Sequence, residues 1–467
     1  MNWFRLASRA LPVFLVLSCG KVQVSVSEEK EKDPVTPAVV QARETPSWFS
    51  EGLTYQLMPR CFCEEGDLNG ARKHLGRLKD LGVTVIYFTP LTVADTDPNQ
   101  SYWSSRQKKS GFGDPRNPYR TGDYMHVDPE YGTEEDLAEF IREAHDLGMK
   151  VMLDLVFLHC GPGCGLITSN PEYFQHNGAG DIVTNSWHFP VFDFDNTATR
   201  QYFKALVRYY LTAFDADGFR CDVADDIPLD FWEELREDAE SVKKDIVFVA
   251  EGDEADNTLK AFDANYSWQV SREMRKVLHS KEEALNAGGA AYARSCHEWA
   301  YSYYPKGTLL WSMMENHDWA NDSYENRAET KYGHANCELG LAFIFAIDGV
   351  PFIFCGQEAC WAGRVSIFGH EGCWIDWDSA LATPEAADRA AKIKKWVKMR
   401  KDNPTLVYGK TKWIDTDHPA EICAFKRTSE IEGGKDVLFV GNCSAKSVTV
   451  GVNGKQYNLE PWGYVFE

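Results

Sequence analysis

The sequence predicts an α/β protein, a (β/α)8 TIM barrel followed by a small all-β domain. Short runs of apolar residues recur along the chain, and continuous runs are typical of strands buried on both faces of a parallel sheet. Amphipathic segments with helical spacing separate them, which favours a wound sheet or a barrel. Eight such runs indicate a closed barrel: 54–58, 84–88, 150–157, 216–222, 246–250, 261–266, 309–314 and 350–354.

The helical segments have recognisable boundaries. Thr133 is a typical N-cap and three acidic residues follow it, as is common in the first turn of a helix. Gly148 is a suitable stop signal. Between them, apolar residues recur at helical spacing: Leu137, Phe140, Ile141 and Ala144.

The composition divides the chain into four parts. Residues 47–403 hold the eight units, with a small insertion after the third strand at about 160–195. From 404 to 467 strands alternate with turn residues, which predicts a C-terminal all-β sandwich domain. Residues 20–46 are charged and contain proline, which predicts a flexible tether. Residues 1–19 form the fourth part.

Residues 1–19 predict an export signal. Arg5 and Arg9 precede the apolar run 11–17, which is too short to span a bilayer, and Cys19 follows. The pattern resembles a bacterial lipoprotein signal, which implies that Cys19 is lipidated. We therefore expect an exported protein anchored in the bacterial cell envelope, at the outer membrane or the periplasmic face. The alternative is an ordinary cleaved signal in which Cys19 has no special role.

Charge and cysteine content narrow the partners. The 467 residues have a formal net charge of −21, which disfavours nucleic acid and anionic membranes because these attract basic patches. We expect membrane contact only through the lipid anchor, and the oligomeric state is left open. No CxxC…CxxC framework is present, so the sequence predicts no cysteine–metal site. Three cysteine pairs are close in sequence, which does not establish pairing: Cys160 and Cys164, Cys61 and Cys63, Cys355 and Cys360.

Charged and polar residues follow several predicted strands. The carboxyl ends of barrel strands form one mouth, and an unpaired buried charge is costly, so these groups should face one another there. Any one of them alone is also consistent with a satisfied core or cap residue. Four strands that end this way favour one shared site: Asp154 with His159, Arg220 with Asp222, Glu251, and Glu315 with Asn316, His317 and Asp318.

Cleavage of a glycosidic bond requires such a set of carboxyl groups. A retaining glycosidase uses one as nucleophile and another as general acid and then base, about 5 to 5.5 Å apart. An adjacent arginine keeps the nucleophile ionised, and neighbouring carboxylates keep the acid protonated. Arg220 and Asp222 are alternate residues of one predicted strand and therefore point to the same side.

Several segments together resemble the α-amylase family, glycoside hydrolase family 13. DLVFLH (154–159), GFRCD (218–222), AEG (250–252) and NHD (316–318) occur in the family's order. NPYRTGDYMHVDPEYGT (117–133) resembles the family's approach to the third strand. The resemblance implies that Asp222 is the nucleophile, that Glu251 is the acid and base, and that Asp318 binds the 2- and 3-hydroxyls of the sugar.

The resemblance also implies supporting residues. Arg220 would orient Asp222, while His159 and His317 would hydrogen-bond the sugar. Tyr119 would stack on that sugar, and Asp154 would support the mouth. Three tryptophans in presumed mouth loops are candidates for outer subsites, although a large core explains them equally well: Trp103, Trp319 and Trp361.

Three positions depart from the family pattern. Leu158 stands where the family usually has an asparagine that helps to hold calcium, so the usual calcium site is doubtful, no metal ligand is assigned and no cofactor is required. Asp225 and Asp226 replace the lysine and histidine that are common after the nucleophile. The short insertion resembles that of the cyclodextrinase and neopullulanase branch and of related lipoprotein amylases.

These observations predict a retaining α-glucan hydrolase that acts on α-1,4-glucosidic bonds of starch, maltodextrins or cyclodextrins. Within the same chemistry, a transglycosylase or an α-glucoside isomerase is an alternative. A glycan-binding lipoprotein without catalysis is the alternative from another class.

Overall fold

The computed structural model describes residues 40–320 and 327–467. Cys19, the predicted signal and most of the predicted tether lie outside the described residues. The strands, numbered in chain order, are β1 Thr54–Leu57, β2 Val85–Phe88, β3 Thr92–Ala94, β4 Thr121–Val127, β5 Lys150–Leu155, β6 Gly218–Cys221, β7 Val247–Ala250, β8 Ala264–Tyr266, β9 Leu309–Ser312, β10 Val350–Phe354, β11 Lys410–Trp413, β12 Ile422–Thr428, β13 Val437–Asn442, β14 Val448–Val452, β15 Lys455–Leu459 and β16 Tyr464–Phe466.

Helices separate the strands and cover the outside of the sheet. They are α1 Ser47–Ser50, α2 Pro59–Phe62, α3 Leu68–Arg72, α4 Leu75–Leu81, α5 Ser105–Ser110, α6 Glu134–Asp146, α7 Leu166–Ser169, α8 Thr197–Ala213, α9 Leu229–Val242, α10 Asn257–Lys260, α11 Trp268–Leu278, α12 Glu282–Asn286, α13 Ala290–Tyr303, α14 Ala328–Tyr332, α15 His334–Ala346, α16 Trp377–Leu381, α17 Pro384–Asp402 and α18 Thr405–Tyr408.

Eight parallel strands close into a barrel in the order β1-β10-β9-β8-β7-β6-β5-β2, which confirms the predicted (β/α)8 fold. Each predicted apolar run contains one of these strands. The strands β1, β2, β6, β7 and β10 are buried along their whole length, as expected when helices cover one face and the barrel interior covers the other. The helix α6 begins at Thr133 with a capping box, in which the side chains of Thr133 and Asp136 satisfy each other's backbone amides.

Two short insertions lie at the carboxyl ends of the strands. The predicted one follows β5, and antiparallel bridges such as His159 with Val191 and Phe174 with Phe192 hold it together. The other lies between β2 and α6 and contains the antiparallel pair β3–β4 together with α5. Sequence patterns did not separate this second insertion from the barrel units, because its strands are partly exposed and lack the continuous apolar runs of the barrel strands.

The C-terminal domain consists of two packed sheets, as predicted. A four-stranded antiparallel sheet has the order β11-β12-β13-β16, and β14 and β15 form a separate hairpin. Apolar side chains of both sheets share one cluster, which makes the domain a small sandwich. Phe343 of α15 packs edge-on against Phe425 and Phe439, so the domain adheres to the barrel through aromatic contacts.

The chain just before the barrel is attached to it. The amide of Ala42 donates to the Lys306 carbonyl at 2.9 Å, and Arg43 forms ion pairs with Asp263 and Glu240. Ala42 and Arg43 were predicted to belong to the tether, because the charged, proline-containing composition around them is typical of flexible segments. Their contacts depend on residues that are distant in sequence. Across the described part of the chain, no helix has the length and apolar character needed to cross a bilayer.

Candidate active site

The predicted site residues meet at the carboxyl end of the barrel. Asp154 lies in β5 and Arg220 in β6, and Asp222 and Glu251 directly follow β6 and β7. His317 and Asp318 lie in the segment that follows β9. Because parallel strands end at one rim, four separate stretches of sequence deliver their side chains to one place.

One guanidinium holds three carboxyl groups together. Arg220 Nη1 lies 2.7 Å from Asp154 Oδ1 and 2.8 Å from Asp222 Oδ1, and its Nη2 lies 2.8 Å from Glu251 Oε2. The Arg220 side chain is only 1% exposed, so its positive charge interacts with these carboxyl groups rather than with water. We call Arg220, Asp154, Asp222 and Glu251 the mouth cluster.

Tyrosines fix the orientation of the mouth cluster. The hydroxyls of Tyr87 and Tyr119 donate to Asp154 Oδ2 at 2.6 and 2.9 Å. Arg220 Nε donates to the hydroxyl of Tyr266 at 3.1 Å. With these partners, Asp154 acts through Arg220 and not as an open binding group.

Burial dominates the protonation of Glu251. Burial raises its pKa to about 7, Arg220 opposes the rise, and the charge of Asp318 adds to it. The sequence analysis attributed this rise to neighbouring carboxylates, but desolvation is the larger cause. The amide of Val223, a β-branched residue with a left-handed φ of 45°, donates to Glu251 Oε2 at 2.9 Å. That strained backbone aims an N–H at Glu251.

Asp222 depends on Arg220 for its charge. Its side chain is 7% exposed, and burial raises its pKa, which Arg220 counteracts and Glu251 reinforces. Asp222 and Glu251 therefore compete for one proton beside one cation. Of Asp222 and Glu251, the carboxyl group that Arg220 stabilises more strongly is the one that stays negatively charged.

Asp318 is held in its ionised form. Its carboxylate lies 2.8 Å from Arg106 Nη1 and 3.5 Å from His317 Nε2. Burial favours the neutral acid, but His317, when it is protonated at low pH, and Arg106 outweigh it, so the pKa of Asp318 is lowered. Gln56 orients His317 through a 2.7 Å contact with Nδ1. The sequence analysis missed Arg106 and Gln56, because no local pattern connects α5 or β1 with Asp318.

The two histidines are neutral. Burial lowers the pKa of both His159 and His317 to about 4. His159 Nε2 donates to the Tyr119 carbonyl at 2.9 Å, and its Nδ1 is buried without a hydrogen-bond partner among residues 40–320 and 327–467. The Tyr119 ring stacks on His317 with centroids 5.0 Å apart, so His317 covers one face of the ring that was expected to contact sugar.

Asp225 positions the loop that carries Glu251. Its carboxylate accepts hydrogen bonds from the Asp253 amide at 2.7 Å and from Asn257 Nδ2 at 2.8 Å. A Cβ atom at Gly252 would lie 2.1 Å from Asp225 Oδ1, so only glycine permits this approach. The aspartate that departs from the family pattern therefore supports the loop of Glu251.

The three tryptophans that are candidates for outer sugar subsites differ in their exposure to solvent. Trp103 is 4% exposed and offers almost no surface for a sugar, which favours the core interpretation for this residue. Trp319 is half-buried and packs edge-on against Trp268 with centroids 5.2 Å apart. Trp361 is also half-buried, and it follows β10 at the same rim.

The usual calcium ligand is replaced by an apolar side chain. Leu158 is buried in the main apolar core and has no oxygen to offer a hard cation. The residues at this position therefore do not fit the usual calcium site, and no step of the chemistry below depends on calcium.

A closed (β/α)8 barrel with paired carboxyl groups at its mouth is an arrangement that enzymes cleaving glycosidic bonds use. The family model of the alpha-amylase catalytic domain matches residues 41–177 and 181–417. The chain therefore belongs to the alpha-amylase family and is a glycoside hydrolase.

Individual relatives are distant but cover most of the chain. A maltogenic alpha-amylase of Bacillus acidopullulyticus is 23% identical, over 87% of this chain and 71% of the relative. A cyclomaltodextrinase of Geobacillus thermopakistaniensis is 24% identical, over 87% and 71%. The crystal structure of a maltogenic alpha-amylase from Thermotoga neapolitana has a TM-score of 0.72 at 22% identity and covers 90% of this chain and 97% of its own, which establishes the shared fold.

Proposed function

We propose that the protein is a retaining α-glucan hydrolase that cleaves α-1,4-glucosidic bonds of starch, maltodextrins or cyclodextrins. The observation that carries the proposal is the contact of Arg220 with both Asp222 and Glu251, each at 2.8 Å. One cation thereby sets two carboxyl groups side by side at the mouth of the barrel. Retaining hydrolysis requires such a closely spaced pair.

In the first half-reaction Asp222 is the nucleophile and Glu251 the acid. Glu251 transfers its proton to the glycosidic oxygen as the bond from that oxygen to the anomeric carbon breaks. Asp222 forms a covalent bond to the same carbon. A pKa of about 7 leaves Glu251 protonated near neutral pH, and Arg220 stabilises the attacking carboxylate.

In the second half-reaction water releases the sugar. The Glu251 carboxylate takes a proton from the water, whose oxygen attacks the anomeric carbon, and Asp222 leaves as the carboxylate. Asp318 accepts hydrogen bonds from the 2- and 3-hydroxyls of the sugar. The neutral His159 and His317 bond to further hydroxyls, Tyr119 contacts the sugar ring, and no cofactor takes part.

The relatives support the substrate class. Their names, maltogenic alpha-amylase and cyclomaltodextrinase, refer to enzymes that act on α-glucans. The short insertion after β5 agrees with the second of these groups. We therefore expect soluble maltodextrins and cyclodextrins to be better substrates than granular starch.

The test is a substrate panel. Maltoheptaose, cyclodextrins, pullulan and starch are incubated with the protein, with Asp222→Asn and with the matched variant Asp230→Asn. Asp230 lies in α9 with a side chain 68% exposed, so the same substitution there should leave activity unchanged. Equal activity of Asp222→Asn and the unsubstituted protein would disprove the nucleophile assignment.

The product pattern separates the alternatives. Shorter maltooligosaccharides from maltoheptaose support hydrolysis, whereas longer transfer products or rearranged disaccharides would identify a transglycosylase or an isomerase. Binding of glucans without any turnover would identify a glycan-binding protein.

We further propose that Cys19 is lipidated and anchors the protein in the bacterial cell envelope. The support is the order of basic residues, a short apolar run and Cys19 in the sequence. Labelled palmitate should enter the intact protein and be lost in Cys19→Ala. Label that persists in Cys19→Ala would refute the anchor.

A further inference from the structure

Three metal-binding side chains meet at a second place on the same rim of the barrel. Glu329 lies in α14, His334 begins α15, and Cys360 follows β10. One ligand atom of each lies within 4.8 Å of the other two. Within residues 40–320 and 327–467 no other group of histidine, cysteine and acidic residues has this arrangement.

We propose that Glu329, His334 and Cys360 bind one zinc-class divalent cation. A thiolate, an imidazole and a carboxylate are the ligands that Zn²⁺ and Co²⁺ take, whereas Ca²⁺ and Mg²⁺ prefer oxygen alone. The site differs in chemistry from the calcium site that Leu158 replaces. It is independent of the proposed hydrolysis, because none of its ligands belongs to the mouth cluster.

The geometry needs only a small adjustment. His334 Nδ1 and Glu329 Oε2 are 2.7 Å apart, whereas ligands about 2.0 Å from a tetrahedral zinc ion are roughly 3.3 Å apart. The His334 side chain is 52% exposed, so it can rotate and open this contact. It also gives the ion a route from solvent, and water can fill the fourth position.

The surroundings already orient the ligands. Arg389 Nη1 donates to Glu329 Oε1 at 2.7 Å, which leaves Oε2 to face the ion, and Arg389 Nη2 donates to the His334 carbonyl at 3.0 Å. Such outer contacts are typical of metal ligands. Cys360 has a left-handed φ of 52°, a strained conformation for a residue with a side chain, and that backbone sets the direction of its thiol.

Among the residues that the structure describes, the thiol has no strong competing partner. Its contact is the Glu385 carbonyl at 3.7 Å, a weak hydrogen bond. A thiol must lose its proton to become a metal ligand. Binding forms the metal–sulfur bond and releases that proton to solvent.

The ion would connect two segments of the rim. Glu329 and His334 belong to the stretch that follows Asp318, and Cys360 precedes Trp361 in the loop after β10. A bound metal therefore stabilises the rim next to the mouth. We expect a higher melting temperature with Zn²⁺ than without it.

The test uses the full chain after treatment with a chelator. Co²⁺ is titrated while thiolate-to-cobalt charge-transfer absorption is recorded, and Zn²⁺ is followed by calorimetry. We expect one equivalent per chain. Substitutions of residues that contact metal ligands typically weaken binding about tenfold to hundredfold, and His334→Ala, which removes a ligand, should weaken it by at least as much. The charge-transfer band should vanish in Cys360→Ser.

Cys296→Ser is the matched control, because it removes another partly accessible thiol in α13, outside the site. It should keep full binding. Circular dichroism establishes that each variant is folded. A folded protein without the charge-transfer band, or a band that persists in Cys360→Ser, would overturn the proposal, and so would unchanged affinity in folded His334→Ala.

Discussion

Two buried ion clusters at opposite ends of the barrel strands differ in their balance of charge. In the mouth cluster one guanidinium, Arg220, contacts three carboxyl groups. Just before β8, Arg43 and Arg236 surround Asp263 and Glu240, so two cations meet two anions. We call this second group the base cluster.

In the base cluster the charges balance, and its groups also form hydrogen bonds with the backbone. Asp263 also accepts a hydrogen bond from the Phe248 amide at 2.8 Å, and Arg236 donates to the Ile246 carbonyl at 3.0 Å. The mouth cluster has excess carboxylate and needs a proton to be stable in a buried place. In this barrel the base cluster at the amino ends of the strands therefore stabilises the fold. The excess of carboxyl groups at the carboxyl ends costs stability but supplies the groups that catalysis needs.

The largest expected effect is on activity at the mouth. Asp222→Asn should lower kcat by about a thousandfold or more, because the amide cannot form the glycosyl-enzyme. Its melting temperature should stay the same or rise, since the change removes one excess negative charge. Steady-state kinetics with maltoheptaose and thermal unfolding measure both quantities. A large loss of stability would show that the mouth cluster is structural.

The same substitution in the base cluster should act in the opposite way. Asp263→Asn leaves Arg43 and Arg236 short of one buried counter-charge, which should lower the free energy of unfolding by about 3 kcal/mol. The kcat of the folded variant should be nearly unchanged. Denaturant unfolding and kinetics test this, and a loss of kcat without loss of stability would contradict the comparison.

The proton of the mouth cluster should appear in the pH profile. Glu251 is the proposed acid and its pKa is raised to about 7, so kcat/KM should fall about tenfold per pH unit above that value. A glucosyl fluoride is a substrate whose leaving group needs no proton, so Glu251→Gln should still turn it over. With this substrate the fall of kcat/KM at high pH should be absent in Glu251→Gln. A limb that survives in Glu251→Gln would assign the proton to another group.

A smaller effect is expected at Arg106. Its charge lowers the pKa of Asp318, so Arg106→Ala should raise that pKa, which an NMR titration of the Asp318 carboxyl group measures. Activity at neutral pH should fall by about fivefold to tenfold, the loss expected from one charge-assisted hydrogen bond. Lys108→Ala, on the same helix and exposed, is the control. An unchanged pKa of Asp318 in Arg106→Ala would show that Arg106 does not stabilise this carboxylate.

Local sequence was sufficient for much of the fold and for the centre of the site. Apolar runs located the barrel strands, and Arg220 with Asp222 were expected on one face because strand residues alternate with a period of two. Capping residues located α6. Each of these features depends on neighbours within a few positions, so a single sequence contains the whole signal.

The contacts that tune the site were not accessible from the sequence. Arg106 reaches Asp318 across more than two hundred positions, and Gln56 reaches His317 across still more. The dominant cause of the raised pKa of Glu251 is burial, which depends on the closed barrel and not on adjacent residues.

The sequence by itself determined the barrel, the sandwich and the order of the carboxylates, because these follow from periodicity and strand ends. Only the tertiary structure decided which cation serves which acid, and only it joined Glu329, His334 and Cys360 where the cysteine spacing predicted no metal site. The physical reason is that Coulomb energy and coordination depend on distance in space, and loops remote in sequence set that distance.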